Sequence, residues 1–282
     1  MQSWSSGLHT PPPGLPLCRD RQWGEGGSNY TGGMVEAVED RLRVAVELAR
    51  AAGDLTLGYF RRPVDVVSKA DGSPVTIADR GAESLIRERV AARFPRDGVL
   101  GEEFGRSEGT SGFEWVLDPI DGTMSFVRGV PLYGTLIGVM QAGRSVAGVI
   151  HMPALEETVF AWRDGGCWHE VGRREAERCR ASGATRLSDS LVAMTDPNLF
   201  ERHRGGSFEV LSRACQAMRG WSDCYAHLLA ATGRVDAAVE PIVSAWDVAP
   251  MGVVMAEAGG AFFDWRGEAR VCLLYTSDAA DE

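Results

Sequence analysis

Asp118 and Asp121 close an apolar stretch, "EWVLDPID", and Gly122 and Thr123 follow them. Carboxylates at the end of a buried strand have to be paired, hydrogen-bonded or bound to a cation, because an isolated buried charge is costly. An EF-hand loop opening at Asp118 would need Glu at its twelfth position, where the chain has Gly129. The aspartyl-phosphate phosphatases separate their acids by a single residue, whereas Pro119 and Ile120 both intervene here. A hard-cation site fits better. Pro119 fixes the backbone, so that Asp118, the Ile120 carbonyl and Asp121 can face one way as oxygen ligands suited to Mg²⁺. Gly122 and Thr123 then open the next segment with free N–H groups, which is a seat for phosphate. A surface turn is the competing reading, since Asp-Pro and Asp-Gly both favour turns.

Further acids stand at comparable places. Glu102 and Glu103 follow a short strand in "GVLGEEFG", and Glu103 reads as a solvated turn residue. Asp79 lies three residues after Thr76, the spacing of a helix N-terminal capping box. Asp247 sits behind Trp246 near the start of an apolar helix, where an acid also suits the helix dipole.

The elements that must position these acids can be read from periodicity. Residues 36–59 carry Val38, Leu42, Ala45, Ala49 and Ala52 at helical spacing. After the turn chemistry of Asp71-Gly72-Ser73-Pro74, Thr76 begins a second helix with an apolar stripe from Ala78 to Phe94. "LYGTLIGVMQAGRSVAGVIHMP" and "ETVFAWRDGGCWHE" predict hairpins. "LVAMTDP" and "VDAAVEP" predict strands, "SDCYAHLLAATGR" a helix, "AWDVAPMGVVMAEAGG" a helix stopped by Gly259-Gly260, and "AFFDW" a last strand. Together they predict layered α and β structure with mixed sheets, in two halves, 34–150 and 151–270, meeting near residue 150. Residues 1–33 predict a disordered or mis-called extension, and 271–282, "VCLLYTSDAADE", an artefactual tail.

Bulk properties exclude several function classes. A net charge of −10, with no basic run, argues against nucleic-acid binding. No apolar run approaches a spanning helix, and no signal-peptide core is visible. Six scattered cysteines without C-x-x-C spacing suggest neither zinc nor a disulfide framework, and a reducing, cytoplasmic setting is expected.

In combination, "PVTIADR", "GEE", "WVLDPIDGTMSFVRGVPLYG" and "WDVAPMGVVMAEAGG" resemble the inositol monophosphatase family of Mg²⁺-dependent phosphatases, over about residues 36–268. The resemblance implies an α+β fold, the layered αβαβα sandwich of the inositol monophosphatase and fructose-1,6-bisphosphatase type, with a C-terminal strand and helix missing here. It implies two or three Mg²⁺ ions held by Glu102, Asp118, the Ile120 carbonyl, Asp121 and Asp247, with a further, weaker one at Asp79. Thr123 and Asp79 would position and deprotonate an attacking water, with Glu102 contributing from the metal side. The Gly122 and Thr123 N–H groups would hold the phosphate. The implied reaction is direct hydrolysis of a small phosphorylated metabolite by metal-activated water, in a homodimer. Lys69 would belong to a loop over the site or to the solvated surface.

The segment "RGWSDCYAH" resembles the histidinol-phosphatase members more than the inositol ones. Asp223 and Glu240 would face the non-phosphate part of the substrate, and two acids suit a cationic amine or imidazolium. Arg219 could clamp phosphate or lie exposed, and His227 reads as a packed helix residue. Histidinol phosphate is therefore the expected ester. Inositol 1-phosphate is the alternative, and a non-catalytic interaction module is the alternative of another class.

Overall fold

The computed structural model describes residues 32–62, 66–68, 74–172 and 174–267. Lys69 and the terminal segments 1–31 and 268–282 lie outside them. The first half contains α1 (Gly32–Leu57), β1 (Val66–Ser68), β2 (Pro74–Thr76), α2 (Ile77–Arg93), β3 (Gly98–Gly101), β4 (Gly105–Ser107), β5 (Phe113–Asp121), α3 (Thr123–Val127), β6 (Gly134–Gln141) and β7 (Arg144–Met152). Then come β8 (Glu157–Trp162), β9 (Gly166–Val171), β10 (Glu177–Arg178), β11 (Leu191–Met194), α4 (Pro197–Arg204), α5 (Ser207–Ala214), β12 (Ala217–Arg219), α6 (Asp223–Ala231), β13 (Ala237–Val239), α7 (Ala245–Val248) and α8 (Met251–Glu257). None of the described helices is long and apolar enough to cross a membrane.

The large sheet runs β10-β9-β8-β7-β6-β5-β3-β4 and passes without a break through residue 150. Among its described strand pairs only β3–β5 is parallel. Both faces are covered, which is why β5, β6 and β7 read as nearly continuous apolar runs rather than alternating ones. On one face α1 and α2 lay Leu42, Ala45, Ala49, Ala82 and Ile86 over Trp115, Ile137 and Val149. On the other, α6 and α8 lay Leu228, Met251 and Val254 over Leu136, Ile150 and Val159. The small sheet is parallel, in the order β12-β11-β13, and packs on the far side of α6 through Ala193, Ala226, Leu229 and Val235. Its two crossovers, α4–α5 and α6, run in opposite directions along the sheet. Right-handed connections therefore put them on opposite faces, completing the five layers.

Two segments differ from their expected form. The helix over 246–260 is two helices, because Pro250 brings no N–H to continue α7 and α8 starts afresh at Met251. Residues 261–265 form no strand. They are tied by side chains instead: Trp265 Nε1 donates to the Glu240 carbonyl at 2.8 Å and its ring meets Phe200 edge-on.

One buried ion pair fastens α1 to the sheet. Asp97 accepts from Arg41 Nε at 2.8 Å and Nη2 at 2.9 Å, from Ser111 Oγ at 2.6 Å and from Trp115 Nε1 at 2.9 Å. Burial alone would raise the Asp97 pKa, but these donors, Arg41 first, hold it below the usual carboxylate range. Removing one partner strands the other in the interior. Asp97→Ala is expected to cost about 3 kcal/mol in urea unfolding.

Candidate active site

The β5–α3 junction solves a geometric problem. Residues three apart on a regular strand point to opposite faces, so Asp118 and Asp121 would diverge. Pro119 has no ladder N–H, and the β5–β6 register shifts between Asp118 and Asp121. The resulting bulge is pinned by Ile120 N–H donating to Asp118 Oδ1 at 3.1 Å and by Thr135 Oγ1 donating to the Pro119 carbonyl at 2.9 Å. Gly122 then takes φ +80°, the left-handed region, where a Cβ would also stand 3.0 Å from the Leu132 carbonyl. Thr123 follows as the first residue of α3, and its Oγ1 donates to the Ile120 carbonyl at 3.0 Å.

Asp247 arrives from the opposite layer. It closes a capping box on α7, its Oδ2 accepting from Ser244 N–H at 2.6 Å. The sheet surface beneath is made of glycine. Gly138 and Gly148 pair across β6–β7, and a Cβ on either would fall 2.7 Å from Ala249 or Pro250. Only glycine lets the α7–α8 junction descend far enough for Asp247 to reach β5.

Carboxylate oxygens of Asp118, Asp121 and Asp247 lie within 4.8 Å of one another. That is about twice the distance from a hard cation to its oxygen ligands. Burial pushes Asp118 well above its ordinary pKa, and the charges of Glu102, Asp121, Asp247 and Asp79 add to it. Burial also raises Asp121, with Asp223 and Asp247 adding to it and the Cys224 N–H opposing. Asp247 is pushed up to about 7, chiefly by burial and then by Glu102. Acids packed so that each raises the others have the chemistry of a cation-binding set.

Asp79 forms the capping box that its spacing predicted. It caps α2, accepting from Thr76 N at 2.8 Å and Thr76 Oγ1 at 2.5 Å, and its charge bears on Asp118. Burial lifts it to about 6 against those hydrogen bonds. Glu103, expected in solvent, is corrected: its side chain is 2% exposed, 3.9 Å from Arg80, and it pushes Asp79 upward. The hairpin turn is wrapped under α2, which the strand pattern alone does not reveal.

The second-half residues form the adjoining wall. Asp223 adopts φ +57°, a left-handed conformation uncommon for a side-chain residue, and accepts from Ser222 Oγ at 3.0 Å. Its Oδ2 lies 3.3 Å from where a Cβ on Gly122 would stand, so Asp223 borders the β5–α3 junction. Glu240 is pushed up to about 8 by burial and then by Asp223, although the Asp223 N–H bonds to it. Its Oε1 is buried without a hydrogen-bond partner among the described residues. Arg219 is exposed and lines a different space with Thr195, Asp196, Phe208 and Ser222, a cavity of about 360 Å³. That cavity lies at the ends of β11 and β12, where the crossovers diverge, the usual ligand position of a parallel sheet. Burial holds His227 down at about 4, so its imidazole is neutral and suits packing.

Sequence reasoning missed Cys224, whose N–H caps Asp121, and Glu83, a wholly buried acid under the Glu102 turn. Glu83 left a signal: an acid inside the apolar stripe of α2, between Ala82 and Ile86.

The sequence profile of the inositol monophosphatase family matches residues 37–281. A histidinol-phosphatase of Chlorobaculum parvum is 43% identical over 228 residues, covering 80% of this chain and 86% of the relative. One from Mycobacterium tuberculosis is 38% identical over 237 residues, covering 82% and 89%. A solved inositol monophosphatase from Zymomonas mobilis superposes with a TM-score of 0.71 at 35% identity, covering 82% of this chain and 88% of that one.

Proposed function

Because this chain belongs to the inositol monophosphatase family of metal-dependent phosphoric monoester hydrolases, we propose that it hydrolyses histidinol phosphate with Mg²⁺ as its cation. Glu102, Asp118, the Ile120 carbonyl, Asp121 and Asp247 would hold two ions and Asp79 a third. The bound cations supply charge neutralisation for the phosphoryl oxygens and lower the pKa of a water. Asp79, lifted to about 6, is ionised at neutral pH and can accept a proton there. Thr123 shares a hydrogen-bonded chain with the Ile120 carbonyl and would orient the attacking water with Asp79. Gly122 and Thr123 open α3, whose first-turn N–H groups have no intrahelical acceptor and would hold the phosphate.

The buried, unpartnered Glu240 Oε1 beside Asp223 carries the substrate reading. A buried acceptor without a donor is rare in a finished site. The α-ammonium of histidinol supplies such a donor, with charge, and the hydroxyls of inositol supply only neutral ones. The two histidinol-phosphatases to which the chain is similar support the same choice. The subunits would pair as a homodimer.

The test is a comparison of kcat/KM on two esters. Asp223→Asn and Glu240→Gln are each expected to lose about 100-fold on histidinol phosphate, with inositol 1-phosphate hydrolysis changing far less. Equal losses on both esters, or none on either, would reject the assignment. A wild-type chain that binds Mg²⁺ and hydrolyses neither ester would favour a non-catalytic member.

A further inference from the structure

Glu83 is a buried acid that the proposed chemistry leaves unused. Its carboxylate is fully enclosed, and its backbone partners lie on one short segment. Glu83 Oε2 accepts from Glu103 N–H at 2.7 Å, and Oε1 accepts from Phe104 N–H at 3.2 Å. Arg87, one turn further along α2, donates Nε to Glu83 at 2.7 Å. It also reaches Ser107 Oγ at 3.1 Å and the Gly105 carbonyl. The pair therefore grips the β3–β4 hairpin, where Gly101 pairs with Gly105 and residues 102–104 make the loop.

The fit has no slack. A Cβ at residue 101 would fall 2.0 Å from Glu83 Oε1, so glycine is required for the acid to approach. Successive N–H groups converging on one carboxylate form an anion nest, here filled by the protein itself. The other edge of the loop is fixed separately, by Glu102 N–H donating to the Leu117 carbonyl at 3.2 Å. Asp79 and Glu83 are one helical turn apart on α2. The charge of Asp79 bears on Asp118, and Glu83 holds the backbone beside Glu102, whose charge bears on Asp118 and Asp247.

We infer that Glu83 is a positioning residue that sets Glu102 against Asp118 and Asp79 and thereby fixes the affinity of the cation they share. This rests on the reading of Glu102 as a cation ligand. Glutamine at position 83 keeps the shape but turns an N–H₂ group towards one of the two backbone donors. The grip should loosen without emptying the space.

The experiment titrates Mg²⁺ calorimetrically into metal-free wild type, Glu83→Gln and Gly101→Ala, with urea unfolding in chelator and Mg²⁺-activation curves alongside. Wild type must bind Mg²⁺ in a manner abolished by Asp118→Asn. Failure there would overturn the cation reading itself, before Glu83 is in question. Given that binding, both variants are expected to bind Mg²⁺ about 10-fold more weakly. The half-activating Mg²⁺ concentration should rise in step, and kcat should recover at saturating Mg²⁺. Gly101→Ala retains Glu83 but displaces it, so it reports on position rather than on charge. The double variant should be no worse than the weaker single one, since both break the same contact. Unchanged Mg²⁺ affinity in folded variants would overturn the inference. So would variants that do not fold at all, because Glu83 would then be a structural acid only.

Discussion

Asp118→Asn is expected to abolish phosphate release, by roughly 10³-fold or more, while leaving a folded chain that is more heat-stable than wild type in chelator. The two effects share one cause. Asp118 lies at the centre of the cluster, where burial and the charges of Glu102, Asp121, Asp247 and Asp79 all oppose its ionisation. Taking its charge away relieves that repulsion in the metal-free state and would remove a ligand that the proposed cations share. Asparagine keeps the volume and can still accept from Ile120 N–H, so the β5 bulge has no reason to collapse. The pairing of outcomes is what identifies the site. An ordinary structural acid, replaced, would lose stability and activity together. Phosphate release by thermal melting controls gives both numbers from one preparation, and retained activity would refute the mechanism.

The metal-free chain should lose stability as pH rises, the reverse of an ordinary salt-bridged protein. The sign follows from linkage. Ordinary Asp and Glu titrate near 4 when unfolded. Here burial lifts Asp79 to about 6, Asp247 to about 7 and Glu240 to about 8 in the folded state. The folded state thus binds more protons than the unfolded state between about pH 4 and pH 8. Stability is therefore highest at the acid end of that window and falls as pH climbs through the folded values. In chelator, Tm is expected to drop on the order of 5–10 °C between pH 5 and pH 8. Saturating Mg²⁺ should flatten the drop, because a bound cation favours the ionised carboxylates. A Tm in chelator that rises with pH, or one that ignores Mg²⁺ at pH 8, would contradict the cation site.

The sequence was most informative where backbone chemistry is local. Pro119 between acids, Thr76 three before Asp79 and the helical stripe of α1 each depend on neighbours in the chain, and each takes the expected form. Contacts between layers were not legible. Glu103 looked solvated because nothing in "GEEFG" announces that α2 covers it, and Glu83 has no local partner except Arg87. Asp247 was readable as an acid near a helix start. That Gly138 and Gly148 would lower its helix onto β5 required knowing that β6 and β7 pair in that register. The strand expected at "AFFDW" failed for a related reason. Aromatic residues give a segment β character, but a strand also needs a ladder partner, which residues 261–265 do not find among the described residues, and Trp265 is held through its side chain instead.

The most direct test is phosphate release from histidinol phosphate by the wild-type chain as Mg²⁺ is titrated from zero, with inositol 1-phosphate in parallel. No turnover is expected in chelator, activation should saturate with Mg²⁺, and histidinol phosphate should be clearly preferred. Turnover undiminished by chelator would contradict the carboxylate cluster as the seat of catalysis. Saturable activation with a preference for inositol 1-phosphate would keep the cluster and overturn the role given to Asp223 and Glu240.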